Sequence, residues 1–344
     1  MSARMKTNSH GTSIPVAWRT VSVIVPTFNG INSLRDVCDS LERQTRARNI
    51  VQIIIVDDAS TISEKRKRYE ELLNEYRVLP LEIVYLERNR GPATARNAGI
   101  RCAVGEIVFF TDDDCILPSN AIELHLSAYR ERPQISGVGG WYQSLSHVTY
   151  ENTVERYLFA QAIHIFGMGL YTSSVLSSSF SAKPWLFPAV NTANFSVRRY
   201  VLQDVLFDED FIAPGMEDIF FSEEIRKKGY ILQYIPLLVF HRKNVTFKKF
   251  FKHCRNRGIG LFVYNRKYGR RWLEKIRVIR EVKNFQQTLV KLSTMYPAMR
   301  KRRWRLLALH WIRYFIYSLG IMRLYYRLTC YSRSGSLPQR KYGG

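Results

Sequence analysis

Apolar residues fall in short continuous blocks through the first third of the chain, each followed by a stretch where they recur every three or four positions. Val21-Ser22-Val23-Ile24-Val25-Pro26 is the first block, and Leu34, Val37, Cys38 and Leu41 repeat at helical spacing behind it. Gln52 to Val56 is the second, followed by a charged helix from Glu64 to Tyr76. Leu81 to Leu86 is the third, with a helix from Ala93 to about Val104, and Ile107 to Thr111 is the fourth. Strands that are apolar throughout are covered on both faces, and a helix after each strand is the connection a parallel sheet requires. The pattern predicts an α/β fold: a mostly parallel, Rossmann-like sheet with helices on both faces. After Gly137-Val138-Gly139-Gly140 the pattern becomes irregular and aromatic up to Pro188. Asn191 to Arg199 is expected to lead into a helix. Glu217-Asp218 opens another, running to Lys228 with Gly229 as its C-cap, and Ile231 to Phe240 forms a strand ending at His241.

In parallel sheets ligands bind beyond the carboxyl ends of the strands. The notable polar residues of the chain gather there: Thr27 and Asn29 after the first strand, Asp57 and Asp58 after the second, and Asp112-Asp113-Asp114 after the fourth. Three adjacent carboxylates repel one another, and placing them at the end of a buried strand is costly without a cation. Hard oxygen ligands suit Mg²⁺ or Mn²⁺, which in turn hold phosphate oxygens.

Charge divides the chain of 344 residues in two. The net charge is +23, with 52 Lys+Arg against 29 Asp+Glu. From Arg242 to the C-terminus the acidic residues are Glu274 and Glu281, against 27 Lys+Arg, so that this region alone carries +25. Such a tail implies a polyanionic partner, nucleic acid or an anionic membrane surface. Around Trp304 to Leu328, Arg305, Arg313, Arg323 and Arg327 interrupt the apolar run, which stays short of the about 18 residues of a spanning helix. At ~100° per residue the arginines share one side, opposite Trp304, Leu307, Trp311, Tyr314, Phe315, Met322, Tyr325 and Tyr326. An arginine stripe facing an aromatic surface describes a helix lying in a membrane interface; docking of that surface on the rest of the protein is the other reading. Lys248, Lys249, Lys252, Arg255 and Arg257 are further candidates to meet lipid head groups or an acidic lipid-linked acceptor. The cysteines (Cys38, Cys102, Cys115, Cys254, Cys330) form no close pair, which argues against a disulfide framework and suits a reducing compartment. Met1 to Trp18 is polar, lacks the apolar run of a signal peptide and reads as a flexible leader.

Several segments, taken in order, resemble the family 2 glycosyltransferases, which have the GT-A fold. They are Val21 to Asn29, Ile55-Val56-Asp57-Asp58-Ala59-Ser60, Asn89-Arg90-Gly91-Pro92-Ala93-Thr94-Ala95-Arg96-Asn97-Ala98-Gly99, Thr111-Asp112-Asp113-Asp114, Asn194 to Arg199 and Glu217-Asp218. The resemblance implies a metal-dependent, inverting transfer from a nucleotide-sugar donor, UDP-linked by preference, to a saccharide or lipid-linked acceptor. Pro26, Thr27, Asn29, Asp57, Asp58, Arg96, Asn97, Asp112 and Asp113 would contact the donor, with Asp58 favoured over Asp57 for a uracil imide and Arg96 for the diphosphate or base edge. Asp113 and Asp114, with His241, would hold Mn²⁺ or Mg²⁺; a literal Asp-x-Asp register gives Asp112 and Asp114 instead. Asp218 would be the general base, Glu217 its partner, and Asn194 would lie on the acceptor side. The Gln-x-x-Arg-Trp motif of processive synthases in this family is missing, which implies single addition.

The implied division is a flexible leader (1–18), a GT-A catalytic domain (19–245) with a nucleotide-binding half (19–118) and an acceptor half (119–245), a basic helical membrane-associating region (246–330) and a disordered tail (331–344). The expected location is cytoplasmic, peripheral on the inner face of the cell membrane, with no nucleic-acid partner. A nucleotidyltransferase on a similar sheet is the alternative enzyme. It wants a glycine- and lysine-rich phosphate loop where this chain has Thr27-Phe28-Asn29-Gly30. A nucleic-acid-binding protein would account for the tail and leave the carboxylate edge without a purpose.

Overall fold

A computed structural model describes residues 6–7, 13–14, 19–144, 190–242, 246–268, 286–287, 290, 304–313 and 315–316. Within the expected leader, β1 (Lys6–Thr7) pairs antiparallel with β2 (Ser13–Ile14). The predicted alternation follows: β3 (Val21–Thr27), α1 (Leu34–Glu42), β4 (Ile50–Asp57), α2 (Lys65–Glu75), β5 (Leu81–Tyr85), α3 (Pro92–Cys102) and β6 (Ile107–Phe110). Then come β7 (Cys115–Ile116), α4 (Ala121–Glu131), β8 (Gly137–Ser144), β9 (Phe195–Arg198), the single turn α5 (Val201–Asp204), α6 (Glu217–Lys227), β10 (Leu232–His241) and α7 (Phe247–Tyr268). The eight-stranded sheet runs in the order β5-β4-β3-β6-β9-β8-β10-β7.

Strands β5, β4, β3 and β6 are mutually parallel, as expected. Successive residues of each feed opposite layers: Val23, Val25, Ile53, Ile55 and Phe109 enter one core, and Ile24, Ile54, Val56, Val108 and Phe110 the other. This is why these strands read as near-continuous apolar runs. Helix α3 lies unusually close to the sheet: a Cβ on Gly99 would stand 2.6 Å from Ile24 Cγ2. The small residues of Pro92 to Gly99 permit that approach.

The second half of the sheet departs from the sequence reading. Asn191 to Arg199 does lead into a helix, α5, but Phe195–Arg198 within that segment is strand β9, antiparallel to both β6 and β8. Glycine-rich β8 is a strand as well, parallel to β10. The short β7, just past the Asp triplet, pairs antiparallel with the end of β10, setting His241 opposite Cys115. Gly229 ends α6 as expected, with φ 84° and its N–H on the Arg226 carbonyl at 2.9 Å.

The basic region is partly core. Phe250, Cys254, Leu261 and Tyr264 of α7 are buried. Tyr264 Oη donates to Glu223 of α6 at 2.6 Å, and Lys267 pairs with Asp208 and Asp210. In the helical stretch 304–313, Leu306, Leu309, His310 and Arg313 are buried while Trp304 and Trp311 are exposed. The expected continuous arginine stripe is thereby corrected: Arg305 faces out, but Arg313 lies on the inward side with the leucines. Arg323 and Arg327, the aromatic stretch 145–189 and the tail 331–344 lie outside the described residues. No helix among the described residues is long and apolar enough to cross a membrane.

Candidate functional site

Parallel register brings the polar strand ends together. Thr27 pairs with Asp57, and Ile24 with Phe110, so that the loops after β3, β4 and β6 open on one edge. The β10–β7 ladder then delivers His241 to the triplet: its Nδ1 lies 3.5 Å from Asp114 Oδ1 and its Nε2 3.8 Å from Asp112 Oδ2. Ligand atoms of Asp112, Asp114, Cys115 and His241 all lie within 4.8 Å of one another. Cys115 is the soft donor of the four, and soft thiolate suits other metals than the hard cations that carboxylates take. Two carboxylates and an imidazole remain, a donor set that fits Mn²⁺ better than Mg²⁺, which favours oxygen alone. Of the expected ligands, Asp114 and His241 belong to this group. Asp113 is turned elsewhere, its Oδ2 accepting from Thr27 Oγ1 at 2.6 Å.

That contact explains Gly30. A Cβ there would stand 1.8 Å from Asp113 Oδ2 and 2.8 Å from Thr27 Oγ1. Gly30→Ala is expected to expel the Asp113 carboxylate and, if this loop receives the nucleoside diphosphate that the resemblance implies, to weaken its binding on the order of tenfold, the scale of one misplaced polar contact. Because Asp113 and Gly30 lie at the open edge, the thermal midpoint should barely move. Calorimetric titration beside a melting curve checks both halves of this expectation.

Arg96 occupies the centre. The resemblance assigns it to the diphosphate or the base edge, but its buried guanidinium is already engaged. Nη2 donates to Asp112 Oδ1 at 3.0 Å and Nη1 to Glu217 Oε1 at 3.1 Å. Burial works against its charge, but the fields of Asp112, Glu217 and Asp218 outweigh that and hold the proton more tightly. Glu217 is a structural acid: Oε2 accepts the Gly215 and Met216 N–H groups at 2.7 and 3.1 Å, closing the turn into α6.

Asp218 has a different environment. Half-buried in the first turn of α6, it accepts the Ile219 N–H at 2.8 Å. An acid at a helix N-terminus is normally stabilised as the anion. Here burial, then the neighbouring Glu217 charge, push Asp218 up to about 7, against the opposing pull of Arg257 and Arg96. Raised carboxylates of this kind suit proton transfer near neutral pH.

Arg257 is the residue the sequence reading misplaced. Its Cα would stand 3.1 Å from a Cβ on Gly215 (φ 149°), so α7 rests directly on the turn before the acidic pair. Helical spacing held the signal, since Arg257 falls opposite Lys248, Lys252 and Arg255 at ~100° per residue.

At the end of β4, Asp58 is oriented by two backbone N–H groups, those of Arg90 and Gly91, each at 2.8 Å. Asp57 serves its own loop, accepting the Ser60 N–H at 3.0 Å and pairing with Lys65 at 3.3 Å. Asn29, at φ 60°, joins the two loops by accepting the Thr61 N–H at 2.8 Å, and Pro26 precedes it at the strand end. Asn97 and Asn194 are buried and bonded within the protein. Asn97 donates to the Phe207 carbonyl at 2.8 Å and accepts the Phe207 N–H at 3.0 Å, pinning the acidic loop. Asn194 is fully buried, bonded to the Trp141 and Leu237 carbonyls and to His125 Nε2. Its polar atoms are spent joining β8, β10 and α4. Burial holds that histidine neutral, down at about 4.

A mixed α/β sheet covered by helices, its parallel half ending in carboxylates, has the GT-A fold of glycosyltransferases. The sequence profile of Glycosyl transferase family 2 matches residues 22–202, more than half of the chain, and the chain belongs to that family of glycosyltransferases. An uncharacterized glycosyltransferase of Rickettsia felis is 29% identical over 180 residues, 49% of this chain and 25% of that protein. The poly(ribitol-phosphate) beta-glucosyltransferase of Bacillus spizizenii is 33% identical over 105 residues, 30% of this chain and 16% of that protein. The chain thus spans a quarter or less of the length of these relatives. A solved mannosyltransferase, PcManGT from Pyrobaculum calidifontis in complex with GDP-Man and Mn²⁺, superposes with a TM-score of 0.61 at 18% identity. The superposition covers 90% of this chain and 88% of that one, and it shows the shared fold.

Proposed function

We propose that the chain is a metal-dependent, inverting glycosyltransferase that moves a sugar from a UDP-linked donor to a saccharide or lipid-linked acceptor. It works as a peripheral protein on the cytoplasmic face of the cell membrane. The observation carrying this reading is the Arg96 bridge, which joins Asp112 of the ligand group to Glu217 beside Asp218. One buried side chain thus fixes the distance between the diphosphate edge and the acidic helix start.

Each residue then has a task. Asp112, Asp114 and His241 would hold the divalent cation, whose positive charge offsets that on the donor diphosphate and the departing nucleotide. Asp58, aimed by the Arg90-Gly91 turn, accepts the imide N–H of uracil. Thr27 and Asp113 line the loop that receives the nucleotide. Asp218 accepts the proton of the acceptor hydroxyl, and attack from the face opposite the leaving group inverts the anomeric centre. The product anomer, read by proton NMR against the donor, is expected to show inversion; retention would contradict the assigned base.

The environment of Asp218 fixes a pH dependence. The base must be ionised, so activity falls as pH drops through its folded-state value, which is raised. The acidic limb of kcat/KM is therefore expected toward neutrality and not in the ordinary carboxylate range. Glu217→Gln removes a charge that raises Asp218 and leaves Arg96 to lower it further. The limb should move to lower pH in the residual activity of that variant. An unmoved limb would place the titrating base elsewhere.

A further inference from the structure

Exposed Phe and Trp side chains are concentrated in the basic region. Among the described residues, Phe247 is 51% exposed, Phe251 41%, Trp304 66%, Trp311 49% and Phe315 64%, whereas from residue 19 to 242 Phe28 is the one Phe or Trp this open. On α7 the arrangement is two-sided. Phe250, Cys254, Leu261 and Tyr264 turn inward, and Lys248, Lys252 and Arg255 are exposed along the opposite side, flanked by Phe247 and Phe251. The inward side meets the catalytic elements through Arg257 at Gly215, Gly260 at Met216, Tyr264 at Glu223 and Lys267 at Asp208.

We propose that the outward face of α7 is a membrane-docking surface for anionic lipid, and that this single helix sets the Glu217-Asp218 turn at a fixed height above the bilayer. The inference deepens the reading of the chain as a peripheral glycosyltransferase and rests on it. Cations alone would suit nucleic acid equally. Cations interleaved with exposed phenylalanines match a bilayer, where the charges meet head groups and the rings enter the acyl boundary. Trp304, Trp311 and Phe315 add a second exposed apolar face in the same region. The acceptor such an arrangement serves is one carried by lipid, its hydroxyl presented near the head groups.

The test uses the full chain and vesicles of phosphatidylglycerol with phosphatidylcholine, beside vesicles of phosphatidylcholine alone. The protein is expected to float with the anionic vesicles at low salt and to be released only in part by high salt. Lys248→Gln with Lys252→Gln and Arg255→Gln should cut partitioning on the order of a hundredfold, the scale of about three surface charges. Phe247→Ser with Phe251→Ser should make the remainder salt-labile. Both variants should hydrolyse a nucleotide sugar with Mn²⁺ as wild type does, which also reports that the fold is intact. Unchanged flotation of both variants, equal binding to uncharged vesicles, preferred binding to duplex DNA, or burial of the face in a dimer would overturn the proposal. Loss of hydrolysis in wild type would strike the enzymatic reading instead, leaving the flotation result to judge the surface.

Discussion

Asp218→Asn is expected to lower kcat by a factor on the order of 10² or more while leaving the protein folded and donor affinity nearly unchanged. The carboxamide keeps an oxygen to accept the Ile219 N–H, so the first turn of α6 is preserved. Its removal relieves a burial cost, since Asp218 is held in a site that disfavours its charge. Thermal stability should therefore hold or rise. What disappears is a group able to take the acceptor proton. Turnover within a few-fold of wild type would mean that the base is another acid, and Glu217 is excluded as an easy substitute because its oxygens already bind Arg96, Gly215 and Met216.

The second large effect is expected at the ligand group. Asp114→Asn and His241→Ala should each weaken Mn²⁺-dependent binding of a nucleoside diphosphate by a factor on the order of 10² and abolish most activity, because a divalent cation supplies several kcal/mol to such sites. Asp112→Asn carries an added cost, as it also loosens Arg96 and with it the Glu217 turn. Asp113→Asn is expected to be milder: its carboxamide oxygen can still accept from Thr27, and its side chain stands outside the group. Calorimetry with and without Mn²⁺ ranks the four variants. Equal losses at Asp113 and Asp114 would restore the register in which Asp113 is the ligand.

The parallel half of the sheet was legible because both its faces are covered, so that Val23 to Val25, Ile53 to Val56 and Ile107 to Phe110 are apolar at every position, and Ser22 alone interrupts the first run. The antiparallel half was not. In β9, Ser196 and Arg198 look like surface residues, yet both are buried. Ser196 is met by His125 and Tyr129, while Arg198 stacks on Tyr129 and donates to the Ile135 and Pro133 carbonyls. In β8 the glycines disguise a strand. They are required because Phe195 and Leu232 crowd Gly137, Tyr234 stands over Gly139, and Asn194 and the Leu237 carbonyl press on Gly140. The partners that make these residues strand-like come from distant segments, and local pattern carries no trace of them.

The site divides in the same way. Residues at the strand ends of β3, β4 and β6 follow from the sheet, so Thr27, Asp58 and the Asp triplet were found by position. The place of His241 beside Asp114 depends on the two-residue β7, too short to leave a periodic signal. The orientation of Arg96 was also hidden: within α3 it is one more charged helical residue, and only the fold shows that Asp112 and Glu217 converge on it.

The measurement that tests the central claim most directly is nucleoside diphosphate release from a panel of nucleotide sugars, followed in parallel for wild type and Asp218→Asn. With Mn²⁺ and no added acceptor, wild type is expected to release nucleoside diphosphate slowly from a UDP-sugar, to stop in excess EDTA, and to be nearly silent with Asn at 218. If no nucleotide sugar is hydrolysed, and the protein instead forms one from a nucleoside triphosphate and a sugar phosphate with release of pyrophosphate, the account is contradicted and the chemistry is nucleotidyl transfer.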